Sequence, residues 1–172
     1  LALGELRPTT GSITVGGVNS SKLGAAERAI WRRGISAVLD DEPPLELPAR
    51  DWVALGAWCA GTAWPVATAA AREALERHGL LSLAARGVAD CSRGQRLALA
   101  LVRALLRRPH VLLVDWDGWT EAPLPESLRA DLRAFVADGG TGLAAGGPGT
   151  LGEGWPGRRA RIAPPEDQAA SS

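Results

Sequence analysis

The chain has 172 residues, 46% of them hydrophobic and 22% charged, with 19 basic side chains against 19 acidic ones. That length supports one domain with its own core, or a core with a small appended lobe. The balanced charge gives no field to draw in nucleic acid or an acidic membrane surface, so both are set aside as primary partners. No apolar run approaches the ~20 residues needed to span a bilayer, and nothing at the start reads as a signal peptide.

The chain contains no Met and opens on LALGELRPTTG. Leu1, Leu3 and Leu6 there read as the tail of a helix stopped by Pro8, so a fragment of a longer protein is expected. GSITVGG (11–17) alternates Ile13 and Val15 between glycines and predicts a short edge-type strand. LGAAERAIWRRG (23–34) predicts a helical turn or two ending at Gly34. ISAVL (35–39) predicts a short buried strand that empties into the acidic, Pro-rich DDEPPLELP (40–48). Residues 51–82 are Ala-rich and helical in character; Pro65 suits a first helical turn and Gly79 a C-terminal cap. Cys59 and Cys91 lack metal-ligand spacing and read as two buried thiols of a cytosolic protein.

CSRGQRLALALVRALLRRPHVLLVDWDG (91–118) carries the strongest pattern. Leu97, Leu101 and Leu105 recur every four residues while Arg96, Arg103 and Arg107 face elsewhere, which predicts an amphipathic helix closed by Pro109. VLLV (111–114) predicts a parallel strand buried on both faces. PESLRADLRAFVADGG (125–140) predicts a second amphipathic helix, with Leu128, Leu132, Phe135 and Val136 on one side and Gly139 at its end. TGLAA (141–145) predicts a weak strand, and the Gly/Pro-rich remainder predicts a loop, a last strand and a frayed tail. Helix, buried strand, helix, strand in that order is an α/β arrangement with a mainly parallel sheet. Ligands in such sheets bind at the carboxyl ends of the strands, where Asp40 and Asp115 stand.

This order of motifs resembles the ATPase domain of ABC transporters over nearly the whole chain. LRPTTGSITVGG resembles the stretch shortly after that family's P-loop. ERAIWRRGISAVLDDEPPLELPARDWVALG resembles its Q-loop region, and AREALERHGLLSLAARGVADCSRGQ the helical subdomain leading to the LSGGQ signature. RALLRRPHVLLVD resembles the Walker B helix and strand. The short helical subdomain and the ER…RR lead-in are most similar to the lipoprotein-release, macrolide-export and cell-division branch. The resemblance implies a P-loop NTPase-like α/β core, formed here by 1–50 and 109–165, a small helical subdomain at 51–108 and a tail at 166–172. It also implies ATP and Mg²⁺ as ligands of the intact parent, a second ABC ATPase subunit and transmembrane permease subunits as partners, and a place at the cytoplasmic face of the plasma membrane.

The P-loop G-x-x-x-x-G-K-[ST] does not occur in the chain and would lie before Leu1. Without its nest of N–H groups and its Lys, this chain by itself is not expected to bind ATP tightly. The family's Q-loop Gln corresponds to Asp40, whose carboxylate either still meets Mg²⁺ or is an acid in a solvated loop. In the signature, Ser92, Gly94 and Gln95 match the residues that grip the partner's nucleotide at a helix N-terminus. Arg93 replaces a Gly there; its guanidinium either pairs with phosphate or its bulk holds the partner away.

Asp115 matches the Walker B Asp that helps hold Mg²⁺. Trp116 occupies the position of the catalytic Glu, and an indole has one N–H donor and no lone pair with which to take a proton. Loss of a general base costs about 10² to 10⁴ in rate, and Asp117 points to the opposite face if the chain stays extended. Gly147 occupies the position of the switch His. His78, in a helix's last turn, and His110, at the wrong end of the Walker B strand, read as structural. GWTEAP (118–123) bears no recognisable D-loop.

Three readings follow: a degenerate ABC ATP-binding subunit, an active one rescued by Asp40, Asp117 or a partner, and a non-catalytic α/β scaffold or decayed fragment. Whichever holds, a sheet lacking the family's N-terminal strands is expected to leave an open edge and an uncovered face.

Overall fold

The computed structural model describes residues 11–12, 14–15, 17–39, 46–115 and 124–145. The expected helix tail at Leu1–Leu6, the positions Asp40, Trp116, Asp117 and Gly147, and everything expected of 146–172 lie outside these residues. Near the start, Thr14–Val15 (β1) pairs antiparallel with Val18–Asn19 (β2), with Gly17 at φ 77° in the turn. A hairpin thus stands where one strand was expected, because glycine supplies the positive φ that a tight reversal needs. Ala25–Arg33 (α1) follows, with the Glu27 carboxylate accepting from the Gly24 N–H at 2.9 Å, and it ends at Gly34.

Among the described residues, three parallel strands form the sheet. Val111–Asp115 (β4) lies between Ile35–Val38 (β3) and Thr141–Ala145 (β5), with Val38 level with Val114 and Asp115 level with Ala145. Val111, Leu112 and Val114 are all buried, so side chains of both faces are covered, as a central parallel strand requires. Buried Ser36 ties the sheet to the helix above it: its hydroxyl donates to the Ala104 carbonyl at 3.2 Å. β5 buries no residue fully and leaves Leu143 exposed, the pattern of an open edge among the described strands.

Between β3 and β4 the chain builds a helical layer from Ala49–Cys59 (α2), Trp64–Arg77 (α3) and Arg93–Leu106 (α4). Gly61, at φ 99°, lies in the short α2–α3 connection, Pro65 sits in the first turn of α3, and Gly79 follows its end at φ 69°. Small residues let these helices approach closely: Ala54 and Ala57 on α2 and Ala67, Ala71 and Ala74 on α3 are buried in one core. The tightest approach is Gly56, where any Cβ would collide with the Arg103 carbonyl of α4. Arg103 does not face away from the core as expected. Its guanidinium lies 4.0 Å from the centre of the buried Trp52 ring, capping an aromatic face.

One further expectation changes. Cys91 is buried but Cys59 is exposed, because α2 ends there and the hairpin tip projects beyond the helical core. At the same tip Trp58 and Trp64 meet edge to face, ring centres 6.2 Å apart, and both are exposed. Glu126–Ala137 (α5) buries Leu128 and Leu132, and leads into β5. Among the described residues no helix is long and apolar enough to cross a membrane.

Candidate functional site

The parallel register decides where a site can form. β3 ends at Val38, level with Val114 and one residue short of Asp115, and Asp115 is paired with Ala145. Neighbouring strands lie about 4.8 Å apart, so the chain leaves all three strands side by side at one carboxyl edge. In sequence, Asp40 and Trp116 are the next residues after Leu39 and Asp115, and Gly147 comes two after Ala145. Asp115 itself is half-buried at the end of the central strand. Carboxyl edges of parallel sheets collect ligands because loops there are free to vary while the strands fix their origins.

Among the described residues no group of three or more His, Cys, Asp or Glu could hold a metal ion alone. A single carboxylate at a strand end still fits Mg²⁺, which keeps several waters and takes one or two carboxylates alongside phosphate oxygens. Asp115 is therefore suited to a Mg²⁺–phosphate complex rather than to a bare ion.

The signature-like segment forms a well-built helix start. Ser92 is the N-cap of α4; its hydroxyl accepts from the Gln95 N–H at 3.3 Å while the Ser92 N–H donates to Gln95 Oε1 at 2.9 Å. This reciprocal box serves two of the four N–H groups that a helix N-terminus leaves without an intrahelical acceptor. Gly94 sits in the first turn, and the Arg96 guanidinium donates to the Cys91 carbonyl at 2.9 Å, pinning the incoming chain. Burial pushes the Cys91 thiol up from its ordinary pKa, while Arg86 and Arg96 pull it down. The structure thus brings Ser92, Gly94 and Gln95 together at one helix end. α4 then runs to Leu106 and a four-residue turn starts β4, so its N-terminus and Asp115 lie toward the same end of the layer. An anion arriving there meets the positive end of the helix dipole, and the Ser92 hydroxyl has its own proton to donate to it while still accepting from the Gln95 N–H.

The two histidines stand away from this edge. His110 is exposed at the amino end of β4, with its N–H donating to the Gly34 carbonyl at 2.8 Å. His78 follows the last turn of α3, but its imidazole caps no carbonyl among the described residues. It is buried against Ser127 and Asp131 of α5, a pairing that the sequence reading missed. The only local signal was Ser127 and Asp131 one turn apart on an amphipathic helix. A cavity of about 830 Å³ opens beside this cluster, lined also by Leu105, Pro109 and His110. It lies at the amino end of β4, opposite Asp115.

Comparison with known proteins identifies the family. The family model described as "ABC transporter" matches residues 1–116. The Fe(3+) ions import ATP-binding protein FbpC of Rhizobium etli is 34% identical over 127 residues, 73% of this chain and 35% of that protein. The taurine import ATP-binding protein TauB of Pseudomonas aeruginosa is 45% identical over 98 residues, 56% of this chain and 37% of that protein. The zinc import ATP-binding protein ZnuC of Alcanivorax borkumensis is 39% identical over 77 residues, 45% of this chain and 26% of that protein. The chain therefore spans about a quarter to just over a third of these curated relatives. These relatives are import proteins by name and lend nothing to the lipoprotein-release, macrolide-export and cell-division branch. In fold, the dimeric post-hydrolysis state of the ATP-binding cassette MJ0796 bound to ADP and Pi superposes with a TM-score of 0.67. The match is 22% identical and covers 84% of this chain and 65% of that one. The sheet, its flanking helices and the family match together establish that this chain belongs to the ABC transporter family, in its P-loop NTPase-type ATP-binding fold.

Proposed function

We propose that the chain is part of a degenerate ATP-binding subunit of an ABC transporter, one whose intact parent binds ATP with Mg²⁺ and hydrolyses it weakly or not at all. The observation that carries the reading is the end of β4: Asp115 is the last residue of the central strand, and the residue that follows it is Trp116. A carboxylate is present for Mg²⁺, while the next side chain has no lone pair to accept a proton from water. Bound Mg²⁺ supplies charge neutralisation on the phosphates. This chain's own part is to present Asp115 at the carboxyl edge and to offer the α4 N-terminus, through Ser92, Gly94 and Gln95, to nucleotide held by an opposing subunit. Asp40 stands at the Q-loop position and Gly147 at that of the switch His; with Trp116 they leave no general base of the usual kind.

In this reading residues 1–50 and 109–165 contribute to the nucleotide-binding core and 51–108 form the helical subdomain. A second ABC ATPase subunit and transmembrane permease subunits complete the assembly at the cytoplasmic face of the membrane. The test is nucleotide retention and single-turnover phosphate release by the intact subunit. ATP retained with Mg²⁺, weakened by Asp115→Asn, together with release near background, supports the proposal. Release at the rate of an ordinary ABC ATPase overturns the loss of catalysis, and no retention overturns the nucleotide reading. Trp116→Glu is expected to restore little alone, since the switch His is absent too.

A further inference from the structure

His78 is the C-cap residue of α3, and its side chain is 1% exposed. Its Nδ1 lies 3.1 Å from Ser127 Oγ and its Nε2 3.4 Å from Asp131 Oδ2, both on α5. Arg77 Nη2 reaches the same Asp131 oxygen at 3.0 Å. One neutral tautomer suits all partners. An ionised carboxylate can only accept, so the imidazole proton belongs on Nε2, and Nδ1 then accepts from the Ser127 hydroxyl. Taking up a second proton puts an N–H on Nδ1 as well, and Ser127 must turn from donor to acceptor. The new charge is buried and shares its counter-ion with Arg77.

We propose that the His78–Ser127–Asp131 cluster is an acid-released latch that fastens the helical layer, through α3, to α5. It bridges 49 positions of chain at the imidazole. The cavity beside it gives α5 room to part from α3. The other charged or titratable groups lining that space are Glu73 and Arg77 from α3, Arg108 and His110 from the turn before β4, and Asp138 after α5, whereas α4 presents Val102, Leu105 and Leu106. The latch does not depend on the nucleotide reading.

The direction of the pH effect follows from burial. Desolvation lowers the His78 pKa below 6.5; Asp131 raises it and Arg77 lowers it, but burial is the largest influence. In the opened latch the imidazole is solvated and regains its ordinary pKa. Above that value both forms are neutral and pH has no effect. Below it the open form takes the proton first, so opening rises by up to about tenfold per pH unit until the closed form protonates as well.

The test combines ¹⁵N imidazole NMR of the chain with amide hydrogen exchange between pH 7.5 and 5, corrected for intrinsic exchange. Expected are a neutral Nε2–H tautomer at pH 7, titration of His78 below 6.5, and opening on acidification confined to the end of α3 and to α5. His78→Gln, which keeps a donor but does not titrate, is expected to flatten the profile, and His110→Gln to leave it unchanged. An Nδ1–H tautomer, titration at or above 6.5, or an acid response that survives His78→Gln overturns the latch. Because tautomer and titration are read on the unsubstituted chain, a variant that fails to fold does not remove the test.

Discussion

Gly56→Ala probes the contact that sets α4, and with it the Ser92 end of the site, against the rest of the helical layer. A Cβ at Gly56 meets the Arg103 carbonyl oxygen and then lies 3.0 Å from its carbon and 3.2 Å from its Cγ. The obstacle is helix backbone, which cannot swing aside, so α2 and α4 must part by on the order of 1 Å to regain ordinary van der Waals separation. Overpacking of this kind costs about 1–3 kcal/mol, and a rigid neighbour puts it near the upper figure. Replacing glycine inside a helix returns about 1 kcal/mol of propensity. The net is a loss of about 2 kcal/mol, or about 4–8 °C in Tm for a domain of this size. The assay is urea and thermal unfolding of the variant beside Ala69→Gly, an exposed site on α3 that isolates propensity and should cost about 1 kcal/mol. If Gly56→Ala proves as stable as the parent, or more so, the two helices are not in backbone contact and the argument fails.

Ser92→Ala removes one half of the capping box and should cost about 1 kcal/mol of stability, whereas Ser92→Asp, which keeps an acceptor at the N-cap, should cost little; equal losses in denaturant would show that the cap is not what holds this end of α4. Cys59, exposed at the end of α2, should react with a disulfide reagent in the native chain. Cys91, buried and with its pKa raised, should react only on unfolding; two fast equivalents in the native chain would contradict its burial. Hydrogen bonds from Arg133 and Arg129 hold the exposed Glu126 carboxyl below its usual pKa of 4.5. A depressed pKa gives support that is present above that value and lost as pH falls through the folded one, so any stability difference made by Glu126→Gln should vanish on acidification; a difference that grows in acid would reverse the assignment.

Much of the fold is legible locally. The Leu97/Leu101 spacing, the VLLV run and the glycines after α3 and α5 state helix, buried strand and helix ends within a few residues of chain, because amphipathic period and backbone freedom are short-range properties. The candidate site is legible in the same way: Asp115, Trp116 and the Ser92–Gln95 segment are read by comparing short motifs. Cys59 shows where this stops. A Cys without metal-ligand spacing reads as a buried thiol, yet its exposure depends on α2 ending at the tip of a hairpin. Arg103 fails for a related reason, since its partner Trp52 lies on a different helix.

By itself, then, the sequence determined the order of the elements, the family pattern, and the chemical fact that an indole follows Asp115 at the end of the VLLV run. Each is carried by residues within one helix turn or one strand of each other. Only the tertiary structure decided that the exits of β3, β4 and β5 stand level at one edge, that α2 and α4 meet at Gly56, and that His78 is buried against Ser127 and Asp131. Those relations join residues tens of positions apart. Burial and register select them once the helices have packed on the sheet, and no local period in the chain encodes them.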